Sequence, residues 1–302
     1  MRGRKAAAQA QSRRLADAHF SSGTAKRNAG RLAEAFADFS RAAELAPDDP
    51  HCLRQAAEVA YLVGQPQLAL GYCGRLRSVA PGLHVIDMLE AQIRFGGEHY
   101  LQVIARILDA LKPRTYVEIG VEHGNSLRLV QAPTLAIGID PEPKLAGPLA
   151  ANQKVFAQTS DDFFATRDLR AELGGLPVDL AFIDGMHQFE FALRDFVNLE
   201  RFCTRDSTIL IDDCYPLNRE TAERERRRGF WSGDVWRLIL LLKKYRPDLA
   251  IHIVATPPTG LAVVRRRLAV PAPRLAELLM RQPQVVFRCR SRSIPIPVPM
   301  SR

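Results

Sequence analysis

Five acidic positions in this 302-residue chain follow short apolar runs: Glu118, Asp140, Asp161 with Asp162, Asp184, and Asp212 with Asp213. Isolated acids after strands are common turn residues, but five at equivalent places are hard to obtain by chance. In parallel sheets, ligands sit at the carboxyl ends of the strands, where the strand order switches. The first acid opens Glu118-Ile119-Gly120-Val121-Glu122-His123-Gly124, where glycines let a ligand approach the backbone closely. Asp140, 22 residues after Glu118, is suited to accept hydrogen bonds from two ribose hydroxyls. Together these point to a nucleoside ligand.

Asp184, Asp212 and Asp213 close the fourth and fifth apolar runs. Three converging carboxylates repel one another unless a cation or hydrogen-bond donors offset the charge. Oxygen ligands with open water positions suit Mg²⁺. His187 stands three residues after Asp184, and its near-neutral unperturbed pKa makes it the candidate base for a hydroxyl proton. Two readings stay open. Either the acids hold a metal and His187 is the base, or Asp184 binds no metal and His187 caps the next helix. His123 reads as a loop or substrate contact rather than a catalyst. A dinucleotide loop wants G-x-G-x-x-G with a helix dipole facing pyrophosphate. Glu118 and Glu122 would repel pyrophosphate, and they suit the sulfonium and amino groups of S-adenosylmethionine.

The elements that must position these residues alternate. Strands are expected at 115–120, 134–140, 155–159, 178–184 and 207–213, and two more at 250–256 and 260–266, joined by Pro257-Pro258-Thr259. Helices are expected over Phe189–Phe202 and Val235–Lys244, and a further one opening through Asn125-Ser126. Nearly continuous apolar strands alternating with helices imply a buried, mostly parallel sheet. The final hairpin adds an antiparallel strand to it.

With these motifs in place, residues 100–268 resemble a class I S-adenosylmethionine-dependent methyltransferase. The resemblance rests on Glu118 to Ser126 as E-I-G-V-x-x-G-x-S, on Phe182-Ile183-Asp184-Gly185-Met186-His187, on Ile211-Asp212-Asp213 and on Gly233-Asp234-Val235-Trp236. Glu122 departs from the more general E-x-G-x-G-x-G, which has a glycine there. The resemblance implies a Rossmann-like, seven-stranded α/β fold with one antiparallel strand. It implies Glu118, Gly120, Gly124 and Ser126 around the methionine part of the cofactor and Asp140 at the ribose. It puts Ser160, Asp161 and Asp162 near the adenine, with Asp184 also on the cofactor. The acid set is similar to that of the catechol and macrolide-sugar O-methyltransferases, which implies Mg²⁺ on Asp184, Asp212 and Asp213 and a hydroxyl acceptor on a small molecule or sugar.

The N-terminal third repeats. A shift of 34 residues aligns Gly30 with Gly64, Ala35 with Ala69, Arg41 with Arg75, Ala46 with Ala80 and Pro47 with Pro81. Each unit reads as helix, glycine turn, helix, proline stop. Over residues 16–83 this resembles tetratricopeptide repeats, which implies docking of a protein partner, self-association, or a helical cap on the enzyme. The apolar stripe from Val85 to Leu111 supplies connecting helices. The expected boundaries are a basic, disordered N-terminus at 1–14, repeats at 15–84, connecting helices at 85–112, the methyltransferase domain at 113–268 and a basic, proline-rich tail at 269–302.

Net charge bounds the function class. The formal +9 divides into +5 over residues 1–14, +8 over 265–302 and −4 over the body between them. Nucleic acid is therefore not the expected partner. Five cysteines without a CxxC pair argue against a disulfide scaffold or structural zinc and for a reducing, cytoplasmic setting. No apolar run is long enough to span a membrane. The segment 219–231 reads either as a solvated helix or as a lid over the acceptor, with Phe230, Trp231 and Trp236 lining it and Arg226 to Arg228 attracting an anion. The competing function is a catalytically inactive scaffold whose repeats bind a partner. The intact glycine loop and acid set weigh against it.

Overall fold

The computed structural model describes residues 2–227 and 229–267. The expected proline-rich tail, 269–302, lies outside the described residues. Two compact units divide at residues 94 and 95.

The first unit is helical: α1 (Arg2–Asn28), α2 (Leu32–Leu45), α3 (Pro50–Leu62), α4 (Pro66–Val79) and α5 (His84–Phe95). Positions 34 residues apart share local features. Gly30 and Gly64 both take the left-handed backbone, with φ of 74° and 77°, at the turns before α2 and α4. Glycine adopts that conformation without the Cβ clash other residues meet. Ala35 and Ala69 are both fully buried, as are Phe39 and Cys73 one turn later. Helices α2 and α4 stop two residues short of Pro47 and Pro81, which cannot continue them. Asp49 caps α3 by accepting from the backbone of His51 and Cys52.

The N-terminus corrects an expectation. Residues 2–14, read as disordered for their unbalanced charge, form the first half of α1. An alanine-rich stretch favours helix, and the helix is tied down: the Ser12 hydroxyl donates to Leu45 O (2.9 Å), Arg13 pairs with Asp49, and Ala16 is fully buried.

The second unit begins with α6 (Tyr100–Leu111) and carries a seven-stranded sheet. In chain order come β1 (Thr115–Ile119), β2 (Leu135–Asp140), β3 (Gln153–Ala157), α7 (Ser160–Thr166), α8 (Leu169–Glu172), β4 (Val178–Ile183), α9 (Phe189–Glu200), β5 (Cys203–Ile211), α10 (Trp236–Tyr245), β6 (Leu249–Val254) and β7 (Leu261–Arg266). The order across the sheet is β3-β2-β1-β4-β5-β7-β6, and only β7 runs antiparallel to its neighbours. This is the Rossmann-like α/β fold expected. The order reverses between β1 and β4, which opens a crevice at their carboxyl ends.

Period-two alternation divides the sheet between two cores. Val117, Ile119, Ile137, Ile139, Ile183 and Ile211 face α9 and α10. Tyr116, Ala136, Leu180, Phe182 and Leu210 face α6, whose Val103, Ile104 and Ile107 pack on them. Burying each of those three side chains contributes roughly 1.5–3 kcal/mol. Helix α6, expected among the connecting helices, is thus part of the α/β unit.

One expected helix is absent, and a segment read as either a solvated helix or a lid is not helical among its described residues. Between β1 and β2 there is only a 3₁₀ turn, Leu127–Leu129, because Glu122 (φ 43°) and Gly124 (φ 72°) are both left-handed. The described residues of 219–231 form turns, bends and irregular chain. Carbonyls a helix would use are taken by side chains farther along the chain: Thr221 O by Ser232, Ala222 O by the Trp236 indole and Glu223 O by the Trp231 indole.

Candidate active site

The strand register sets the acids in a row. Ile119 pairs with both Ile139 and Ile183, and Ile183 pairs with Ile211. One residue on, Gly120, Asp140, Asp184 and Asp212 therefore stand side by side at the carboxyl edge. The ladder runs through them: Gly120 N donates to Ile139 O, Asp184 N to Ile119 O and Asp212 N to Ile183 O, at 2.8 to 3.0 Å.

The glycine loop is held by Asp140. Its Oδ2 accepts from the backbone N–H of Val121 and of Glu122, both at 2.8 Å, and its Oδ1 accepts from Glu142 N at 2.7 Å. Charge-assisted bonds of this kind are about twice as strong as neutral ones. Gly120 and Gly124 serve the chain's own packing. A Cβ on Gly120 (φ 85°) would lie 1.9 Å from Asp184 O, and one on Gly124 would lie 2.7 Å from the Leu145 side chain. Glu118 is fully buried, accepting from the Tyr116 hydroxyl (2.6 Å) and the Ser126 hydroxyl (2.7 Å). Burial pushes its carboxyl up to about 7. Glu118 and Ser126 thus bond each other beneath the loop, and Tyr116 completes a trio that the sequence did not signal.

After β3, Ser160 begins α7. Asp161 is bound by Arg194 at 3.0 and 2.7 Å, and Asp162 accepts from the Thr159 hydroxyl at 2.7 Å.

Asp184, His187 and Asp213 form one cluster, with a ligand atom from each within 4.8 Å of the others. His187 Nδ1 lies 3.0 Å from Asp213 Oδ2 and 2.8 Å from Trp231 O, and its Nε2 lies 3.8 Å from Asp184 Oδ1. Asp212 stands outside that cluster. It is buried, and its Oδ1 has no hydrogen-bond partner among the described residues. Burial, reinforced by the neighbouring carboxylates, pushes Asp184 and Asp212 well above the usual carboxylate range. For His187, burial alone would lower the pKa, but Asp213 and Asp184 outweigh it and raise it to about 10. Tyr100 lies against the same acids, and burial together with their charge raises its pKa.

The 219–235 segment forms a wall of this cluster. The Trp231 ring stacks on His187 with centroids 5.2 Å apart and planes at 19°. Gly233 (φ 61°) seats so closely that a Cβ there would lie 1.7 Å from His187 O. Asp234, fully buried, accepts from Phe189 N at 2.7 Å and pairs with Arg237 at 3.2 Å. Arg227 pairs with Glu223 at 3.0 Å, and Arg226 donates to Gly229 O. Trp231 was among the residues expected to line the acceptor, but its stacking on His187 and the placement of Tyr100 needed the fold.

Residues 117–214 match the family model described as a methyltransferase domain. The matched segment is similar to that domain. It holds the glycine loop, Asp140 and all the clustered acids. No curated protein sequence matches the chain. Among solved structures, an O-methyltransferase from Streptomyces achromogenes, TomG, solved with SAM, is 18% identical, with 59% of this chain and 87% of that one covered and a TM-score of 0.43. An O-methyltransferase from Bacillus cereus in complex with SAH is 13% identical, with 65% and 97% covered and a TM-score of 0.41. The SAH-bound Podospora anserina methyltransferase PaMTH1 is 14% identical, with 67% and 95% covered and a TM-score of 0.44. Likenesses this distant carry no argument about substrate. Among the described residues, no helix is long and apolar enough to cross a membrane.

Proposed function

We propose that this chain transfers the methyl group of S-adenosylmethionine to a hydroxyl oxygen of a small molecule or sugar. The observation that carries the reading is the shared edge. The glycine loop pinned by Asp140 and the Asp184–His187–Asp213 cluster stand side by side at the switch point of the sheet. A donor bound over the loop and an acceptor bound at the cluster would be neighbours. In the reaction the acceptor oxygen forms the bond to the methyl carbon as the carbon–sulfur bond breaks, and the hydroxyl proton leaves to a base. The sulfonium is already activated, so the protein contributes positioning and a place for that proton.

The donor set fits a divalent cation: two carboxylates and an imidazole within one ion's reach, with further negative charge on Asp212. Asp184 and Asp213 would hold it, and when bound it would lower the pKa of the acceptor hydroxyl. Asp213 and Trp231 O fix His187 by its Nδ1 and turn Nε2 toward Asp184. Trp231 bounds the acceptor side. The helical unit, read as tetratricopeptide-like, serves as a docking or self-association module. EDTA is expected to abolish transfer to a competent acceptor and Mg²⁺ to restore it. Full turnover in EDTA would remove the metal from this reading and leave the transfer itself intact.

A further inference from the structure

The motif Gly233-Asp234-Val235-Trp236 carries part of the sequence resemblance, yet its acid has no role so far. Asp234 is fully buried. It takes hold of the turn after β4 twice. Its backbone N–H donates to His187 O at 3.2 Å, and its Oδ1 accepts from Phe189 N at 2.7 Å. Phe189 begins α9, where the first backbone N–H groups have no partner within the helix. Gln188, just before it, makes no side-chain cap bond, so Asp234 caps α9 from 45 residues farther along the chain. Its Oδ2 faces Arg237 at 3.2 Å and Arg224 at 3.7 Å, which offset the buried charge.

The turn so held carries His187. Trp231, three residues before Asp234, holds the ring. Its carbonyl oxygen lies 2.8 Å from Nδ1, and its indole stacks on the imidazole. A carbonyl oxygen only accepts, so Nδ1 is the donor and carries hydrogen. Nε2 is then the nitrogen turned toward Asp184. Residues 231–234 thus grip the imidazole at one end and the main chain of the same turn at the other. Ser232 N and Gly233 N both donate to Thr221 O at 3.1 Å, which anchors the grip.

We propose that Asp234 is a positioning residue for His187. It fixes the main chain of the turn so that Nδ1 keeps its bond to Trp231 O and Nε2 keeps facing Asp184. The functional weight of that direction rests on the methyl-transfer reading. Removing the carboxylate frees Phe189 N and leaves residue 234 only its backbone bond to His187 O. The imidazole can then swing away from Trp231 O and Asp213.

The test is nitrogen-15 NMR of the full chain with labelled histidine. His187 is assigned among the seven histidines by the signal missing from His187→Gln. Wild type is expected to show a single His187 form with hydrogen on Nδ1. Asp234→Ala is expected to lose the His187 Nδ1–H signal to solvent exchange. Asp234→Asn, whose amide oxygen can still accept from Phe189 N, is expected to keep it. An unchanged His187 signal in a folded Asp234→Ala protein would overturn the proposal, even if its melting temperature fell. Should that variant not fold, hydrogen exchange in wild type decides. Phe189 N–H and His187 Nδ1–H are expected to be protected to the same degree, because one local opening releases both. An unprotected Phe189 N–H beside a protected His187 Nδ1–H would overturn the proposal. None of these signals depends on turnover, so failure of the methyl-transfer reading, seen as a flat S-adenosylhomocysteine titration, is a separate result.

Discussion

At the scale of single residues, environment divides like side chains into different roles. Asp140 is satisfied by three backbone N–H groups and organises a loop. Asp213 lies 3.0 Å from the His187 imidazole and helps to fix the ring. Asp195 sits in an apolar core, where burial raises its pKa from 3.8 to about 6. An acid whose folded pKa is raised binds a proton that the unfolded chain has released. Its contribution to stability is therefore best below the unfolded pKa and declines as pH rises from 3.8 through about 6. The stability of Asp195→Asn relative to wild type is expected to improve by up to about 3 kcal/mol between pH 4 and pH 7 and to stay level above that. Urea unfolding at a series of pH values measures it. A difference independent of pH would show that Asp195 is not destabilised by its burial.

At the scale of elements, two glycines are expected to separate the proposed cofactor binding from the proposed acceptor chemistry. Gly120→Ala drives a Cβ against the backbone of Asp184 and strains a left-handed residue of the donor loop. It is expected to destabilise the fold by roughly 2–4 kcal/mol and to lose S-adenosylhomocysteine binding. Gly233→Ala pushes on His187 O instead. It is expected to lower turnover at least tenfold while cofactor affinity stays within about twofold. Equal loss of both functions in Gly233→Ala would mean that the 219–235 segment supports the donor site as well. All seven strands were legible, four as β-branched runs ending in Gly or Asp, two as a hairpin about Pro257-Pro258-Thr259, and the third as the weakest run. What the sequence hid were competitions for backbone groups. A helix through Asn125-Ser126 reads well until Ser126 is seen bonding Glu118 and Glu122 turning left-handed. The charge spacing of 219–231 likewise suggests a helix, but Ser232, Trp231 and Trp236 claim its carbonyls. The acids of the site were readable one at a time. That His187 rather than Asp212 joins Asp184 and Asp213 depended on loop geometry with no local signal.

For the whole molecule, net charge is the least informative number. The excess of +9 belongs to the chain ends, while the acids of the proposed site gather at one edge of a sheet. Each unit has its own core. One is built on Phe39, Leu53 and Leu76, and two others lie on either face of the sheet. Residues 95–302 expressed alone are expected to fold cooperatively and to bind S-adenosylhomocysteine within about threefold of the full chain. A fragment that folds but does not bind would give the helical unit a share in the cofactor site.

The central claim is that the glycine loop held by Asp140 receives S-adenosylmethionine. Calorimetric titration of the purified full chain with S-adenosylhomocysteine tests it most directly. The expected result is saturable binding of one molecule per chain, lost in Asp140→Ala. A flat titration of the folded wild-type protein would contradict it.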